Sequence, residues 1–210
     1  MGKDILIFMT PIASLLILAL EIPAVLFATT IHEFVRAAVS TMLGDKKPKN
    51  EGRLTLNPVK HFEPVGFILA WATGFGWGKP VETSAMFYKD RKRDTLITAV
   101  APSVANIICA IIISFVYGMA AKKTGGSGSF LFFIFLANLK KYSICIAVYN
   151  LLPVAPMDCV KVLSCVMPAN SYFKYLQYEK IIQMAFLLFL FMGYVDIIMG
   201  PIISFVMNII

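Results

Sequence analysis

The chain has 210 residues, of which 59% are hydrophobic and only 15% charged, and its mean hydropathy is +0.77. So few charges cannot clothe so much apolar surface in water, which excludes a soluble globular domain and points to one membrane-embedded domain over residues 1–210. The net charge of +7 gathers in residues 44–93, which hold ten of the nineteen lysines and arginines; lipid-soluble flanks and the lack of aromatic stacking positions exclude nucleic acid as a partner, and the cluster marks the cytoplasmic side.

From Ile5 to Ile31 there are 27 residues with one charge, Glu21, and a helical pattern continues to Leu43, where Gly44 stops it. The run is too long for a secretory signal and has no small-residue cleavage site. As one helix from Ile5 to Leu43 it would be roughly 58 Å long, nearly twice a bilayer core. A break or kink is therefore expected near Glu21-Ile22-Pro23. Residues 44–63 are polar and rich in turn signals, with Gly52-Arg53-Leu54-Thr55-Leu56 read as a short strand. Pro64 to Trp77 is apolar but short and broken by glycine and proline, so a re-entrant loop or membrane-edge strand pair is expected.

Thr95–Ala120 reads as a span, Lys122–Ser129 as a Gly/Ser-rich hairpin, and Phe130–Leu152 as the return, with Lys140-Lys141 expected to snorkel or to mark an interfacial half. Pro153 and Pro156 break the chain. Residues 157–168 read as a short helix, 169–180 as a polar connection, Ile181–Met199 as the last span, and Pro201–Ile210 as an apolar tail. Cys109, Cys145, Cys159 and Cys165 show no CxxC spacing and read as small buried residues. The fold class is thus an all-α polytopic membrane protein with about four principal segments (22–43, 95–119, 131–152 and 181–199) and a small re-entrant or β element near 52–80.

An ionisable group inside a membrane segment is a functional candidate, because burying it costs a few kcal/mol or more. Glu21 and Asp196 stand alone near expected helix ends and read as interfacial. His32 and Arg36, four apart, share a helix face, with Glu33 beside them. In His-Glu-x-x-His, two imidazoles one turn apart hold zinc and the Glu activates its water. Here the fifth position is Arg36. A Glu33–Arg36 ion pair with a hydrogen-bonded His32 satisfies the same residues.

Three further strings stand around this one: Gly52-Arg53-Leu54-Thr55-Leu56-Asn57-Pro58-Val59-Lys60-His61-Phe62-Glu63-Pro64-Val65-Gly66, then Gly76-Trp77-Gly78-Lys79-Pro80-Val81, and Asn150-Leu151-Leu152-Pro153-Val154-Ala155-Pro156-Met157-Asp158. With Ala101-Pro102 through Asn106, the set resembles the site-2 protease family of intramembrane zinc metalloproteases, in its compact bacterial form without a PDZ domain, over residues 21 to 205. The resemblance implies His32 and Asp158 as zinc ligands and Glu33 as catalytic base. It implies a cleft lined by Asn150 and the broken backbone at Pro153, with His61 and Asn106 in support, and a multi-pass protein of the bacterial cell membrane. Its substrates or partners would be membrane-protein segments met near the cytoplasmic face, within the lipid bilayer.

The chain departs from the family pattern where its second zinc histidine should be, at Arg36, and more mildly at Cys159 and Ala101. A guanidinium has no lone pair for a metal. Arg36 could replace zinc's charge by bridging Glu33 and Asp158, or zinc could stay with His61 or Cys159 filling the gap, or the resemblance could be fortuitous. Zn2+ is the implied cofactor of an active protease. The alternative is a catalytically silent relative with no cofactor that binds or regulates membrane partners. His61, in a polar turn, also reads as a structural histidine bonded to backbone. Asn106 reads as an interhelical hydrogen bonder, and Trp71, Phe75 and Trp77 as interfacial anchors.

Overall fold

The computed structural model describes residues 11–73, 75–124 and 129–210; the beginning of the first apolar run, Gly74 and the centre of the expected 122–129 turn lie outside them. The first helix, α1 (Pro11–Met42), runs straight through the expected break, with Pro23 inside it. Proline removes one N–H without ending the helix, since its flanks are strongly apolar and packed. Glu21 is accordingly mid-helix rather than at an end. Its carboxylate lies 3.9 Å from Lys141 Nζ, which compensates a charge placed among apolar side chains.

Four short elements follow: α2 (Lys47–Asn50), α3 (Pro58–His61), α4 (Pro64–Thr73) and a 3-10 turn at Ala85–Phe87. Among the described residues there is no strand. The expected strand at Gly52–Leu56 is irregular, because its backbone is spent on turn closures such as Arg53 N–H to Pro48 O, 2.9 Å. In place of a strand pair, Pro64–Thr73 forms α4, and Phe75–Trp77 beyond it belongs to no helix or strand. At ten residues α4 is about 15 Å long and cannot cross a bilayer.

Two long helices complete the main bundle: α5 (Arg91–Thr124) and α6 (Phe130–Tyr149). With α1 they are long and apolar enough to span a membrane. The three pack on one another through Ala24, Val25 and Ala28 of α1, Ile113 of α5, and Leu136, Leu139, Tyr142 and Ile146 of α6. Alanines one turn apart let the backbones approach closely. Asn106 of α5, fully buried, donates from Nδ2 to the Ala28 carbonyl at 3.3 Å, an interhelical bond where hydrocarbon offers no other partner. Lys140 does not snorkel outward: its Nζ donates to the Met207 carbonyl, 3.2 Å away.

After α7 (Cys159–Val166), the region expected to be a polar connection is helical. α8 (Ala169–Phe191) begins at Ala169 and breaks at Met192-Gly193, and α9 (Tyr194–Ile209) continues at 77° to it, absorbing the expected tail. Gly193 sits at φ +80°, a left-handed conformation that glycine adopts without a Cβ penalty, which ends α8 sharply. The result is an all-α polytopic membrane fold with three membrane-length helices, or four counting the bent pair as one.

Candidate functional site

Helical spacing brings His32, Glu33 and Arg36 to one side of α1, and packing places Asp158 against them. All four are buried to 3% exposure or less. Arg36 is the centre of the cluster. Its Nη1 donates to Glu33 Oε2 at 3.0 Å, and its Nη2 stands 2.5 Å from Asp158 Oδ1 and 3.2 Å from His32 Nε2. His32 Nε2 is also 2.9 Å from Asp158 Oδ2. A carboxylate only accepts, so Nε2 carries the proton and donates to Asp158. Burial alone would raise the Asp158 carboxyl; the neighbouring guanidinium and the His32 hydrogen bond outweigh it and hold the group well below the usual carboxylate range.

Asp158 precedes α7 and is set by Asn150 at the end of α6. Asn150 Nδ2 donates to the Ile146 carbonyl at 2.9 Å, its Oδ1 accepts the Asp158 N–H at 3.3 Å, and its carbonyl accepts the Cys159 N–H at 3.0 Å. The proline-broken loop is thereby closed on itself by one side chain, which satisfies irregular backbone beside the bundle.

The other wall is the irregular run from Phe75 to Thr83. The Val81 N–H donates to Glu33 Oε2 at 2.8 Å. Where this run leaves α4, two glycines touch backbone to backbone: a Cβ on Gly66 would lie 2.1 Å from Trp77 O, and one on Gly76 would lie 2.1 Å from Gly66 O. Phe75 is not an interfacial anchor. It is buried in an aromatic cluster, with ring centroids 4.9 Å from Tyr149, 5.0 Å from Phe186 and 5.9 Å from Trp77, while Trp71 is exposed on α4. Arg53 clips the same run to the preceding loop through the Lys60 and Lys79 carbonyls. The far end is tied to α1 by Asp45, whose Oδ2 accepts the Ser84 N–H at 2.7 Å and the Ser40 hydroxyl at 3.0 Å.

His61 is a buried backbone-bonding histidine. Its Nε2 donates to the Thr55 carbonyl at 2.8 Å, and burial pushes its pKa below the ordinary histidine value. Among the described residues no three His, Cys, Asp or Glu side chains are grouped to hold a metal ion, so neither His61 nor Cys159 joins His32 and Asp158. The donor set fits zinc poorly for two further reasons. A guanidinium stands within contact of both remaining donors. The His32 Nδ1, which in zinc sites usually donates to an orienting acceptor, is buried without a hydrogen-bond partner among the described residues.

Reading the sequence alone misses three contributors: the Val81 N–H, Arg53 and Lys161. Lys161 follows Asp158 by three residues, the spacing that puts two side chains on one helix face. That spacing is the available signal.

A curated relative, named "Putative zinc metalloprotease YwhC", from Bacillus subtilis (strain 168), is 33% identical over 156 residues, covering 71% of this chain and 70% of its own length. No family model matches the chain, and no solved structure matches it.

Proposed function

The chain belongs to the metalloprotease family of YwhC, and from that premise we propose that it is a site-2-protease-type membrane protein in which an arginine replaces the metal, and that it binds membrane-protein segments without hydrolysing them. The observation that carries this reading is the position of the Arg36 guanidinium, in contact with both Asp158 and His32 while paired to Glu33. A permanently protonated side chain there supplies positive charge but no coordination site and no activated water. Glu33 would be the base of a working protease. Here Oε2 is committed to Arg36 and to the Val81 N–H, whereas a general base must reach the proton it abstracts.

Binding of an unwound client segment is the reading we draw from the Phe75–Thr83 run, irregular backbone beside the cluster that belongs to no helix or strand, whose backbone groups not already bonded could pair with those of a peptide. The basic loop at 44–93 and the Asn150–Asp158 loop then face the cytoplasm, so clients would be met near that face. Metal analysis of the purified protein tests the reading. Wild type is expected to hold no zinc, and Arg36→His to gain about one ion per chain. About one zinc in wild type, lost in His32→Ala or Asp158→Ala, would overturn it and restore the hydrolytic reading with Glu33 as base.

A further inference from the structure

We propose that the foot of α1 and α5 binds an acidic phospholipid, with its phosphate against Lys46 and the cations leading into α5 and its acyl chains beside Met42 and Phe87. The inference does not depend on what occupies the His32–Asp158 cluster. Asn106, 15 residues beyond the start of α5 at Arg91, bonds to the carbonyl of Ala28, 14 residues before the end of α1 at Met42. The two helices therefore run antiparallel, and Met42 and Arg91 share one membrane face. The chain between them closes at that face. The Tyr88 and Ser40 hydroxyls are 2.8 Å apart, the Ser84 N–H bonds to Asp45, and a Cβ on Gly44 would stand 2.8 Å from the Phe87 carbonyl oxygen. A hollow of about 670 Å³ remains between Gly44, Lys46, Lys47, Asn50, Glu51 and Phe87, the size of a small-molecule site.

Positive charge and exposed apolar surface coincide here. Met42, Met86 and Phe87 are 84%, 77% and 61% exposed. Lys46, Lys49, Lys89, Arg91, Lys92 and Arg93 are exposed as well, and among the described residues no carboxylate stands within ion-pair distance of any of them. Lys47, the other cation of the hollow, is held by Glu82 at 2.5 Å, with Glu51 at 3.9 Å. With every carboxylate counted, including those bonded to Lys47 or to backbone N–H groups, residues 44–94 still carry ten lysines and arginines against six aspartates and glutamates. The excess sits at headgroup depth, because exposed Leu96, Ile97 and Val100 begin the apolar flank of α5 about 5 Å beyond Arg93. An anion with hydrocarbon attached satisfies both features. A soluble anion would leave Met42 and Phe87 in water, and a neutral lipid would leave the cations without counter-charge.

The test is native mass spectrometry of the full chain in detergent micelles holding equal amounts of phosphatidylglycerol and phosphatidylcholine, reading the lipid retained. Wild type is expected to keep phosphatidylglycerol about tenfold or more over phosphatidylcholine. Lys46→Gln/Lys89→Gln/Arg91→Gln should bring that ratio close to one, since each cation beside an anionic headgroup is worth about fivefold in binding. The charge-keeping Lys46→Arg/Lys89→Arg should preserve the ratio, and Lys122→Gln/Lys123→Gln, at the other end of α5, should not change it. Phe87→Ser should cut the retained phosphatidylglycerol several-fold with all cations in place. A wild-type ratio near one would overturn the proposal, as would an equal loss in Lys122→Gln/Lys123→Gln. Displacement of the lipid by the same concentration of glycerol phosphate or of a hexaglutamate peptide would also overturn it, by showing a site for soluble anions or acidic protein. None of these outcomes touches the reading of Arg36, which metal analysis decides separately.

Discussion

Replacing Arg36 with alanine removes the guanidinium that holds the site together. Two carboxylates within 3.0 and 2.5 Å of it lose their partner, and His32 Nε2 loses a neighbour at 3.2 Å. At an effective dielectric of about 20, each such pair is worth roughly 5–7 kcal/mol before desolvation is subtracted. Breaking a buried pair from one side costs about 3–5 kcal/mol, because an unpaired charge stays behind. The expected loss for Arg36→Ala is therefore about 3–5 kcal/mol, read by titrating SDS into protein held in mixed micelles and following loss of helix. The origin of the loss is tested by a neutral version, Glu33→Gln/Arg36→Ala/Asp158→Asn, which should recover most of it. Arg36→His should lose less than Arg36→Ala once zinc is added. An Arg36→Ala protein within about 0.5 kcal/mol of wild type would refute the charge-bridge account, since that is the range of an inconsequential surface change.

Other outcomes follow from neighbouring contacts. Asn150→Ala removes the side chain that closes the Asp158 loop and should cost about 1–3 kcal/mol by the same SDS titration. Gly76→Ala should be worse than Gly78→Ala: the first methyl would meet the Gly66 carbonyl at 2.1 Å, the second the His61 carbonyl at 3.1 Å and Glu33 Cγ at 3.3 Å, and thermal melts would rank them. The lowered pKa of His61 means the unfolded chain takes up its proton more readily than the fold. Its contribution is complete above pH 6.5 and is lost as pH falls below that. His61→Gln should flatten this slope in melts taken between pH 7.5 and 5. Single cysteines at Lys92 and Lys123, near opposite ends of α5, should label from opposite sides of the membrane. Labelling from one side would undo the topology.

The apolar runs that build the bundle are legible because hydrocarbon demands long apolar helices and little else. The departures come where charges cancel across space. Glu21 and Lys141 lie 120 positions apart in the chain, and a mid-helix acid looks misplaced until its partner is known. The 169–180 stretch looks like a connection because it is polar, although polar residues form helices readily when one side is wet. At the site, His32, Glu33 and Arg36 are joined by helical spacing alone. Asp158 could be joined to them only through the family resemblance, because contacts across the loop after α6 have no period. Val81 is invisible for a different reason: it acts through its backbone N–H, which every residue except proline has.

The arginine at the heart of the cluster also alters how the molecule is completed. A counter-ion built into the polypeptide has a stoichiometry fixed at translation. It needs no delivery, cannot be stripped by a chelator and cannot be displaced by a competing metal. Chelator treatment, which unfolds or empties proteins that depend on a bound ion, should leave this one's melting temperature where it was. On the metal-free reading proposed above, the fold would hold its site in place under metal starvation, a condition that disables a site dependent on a bound ion.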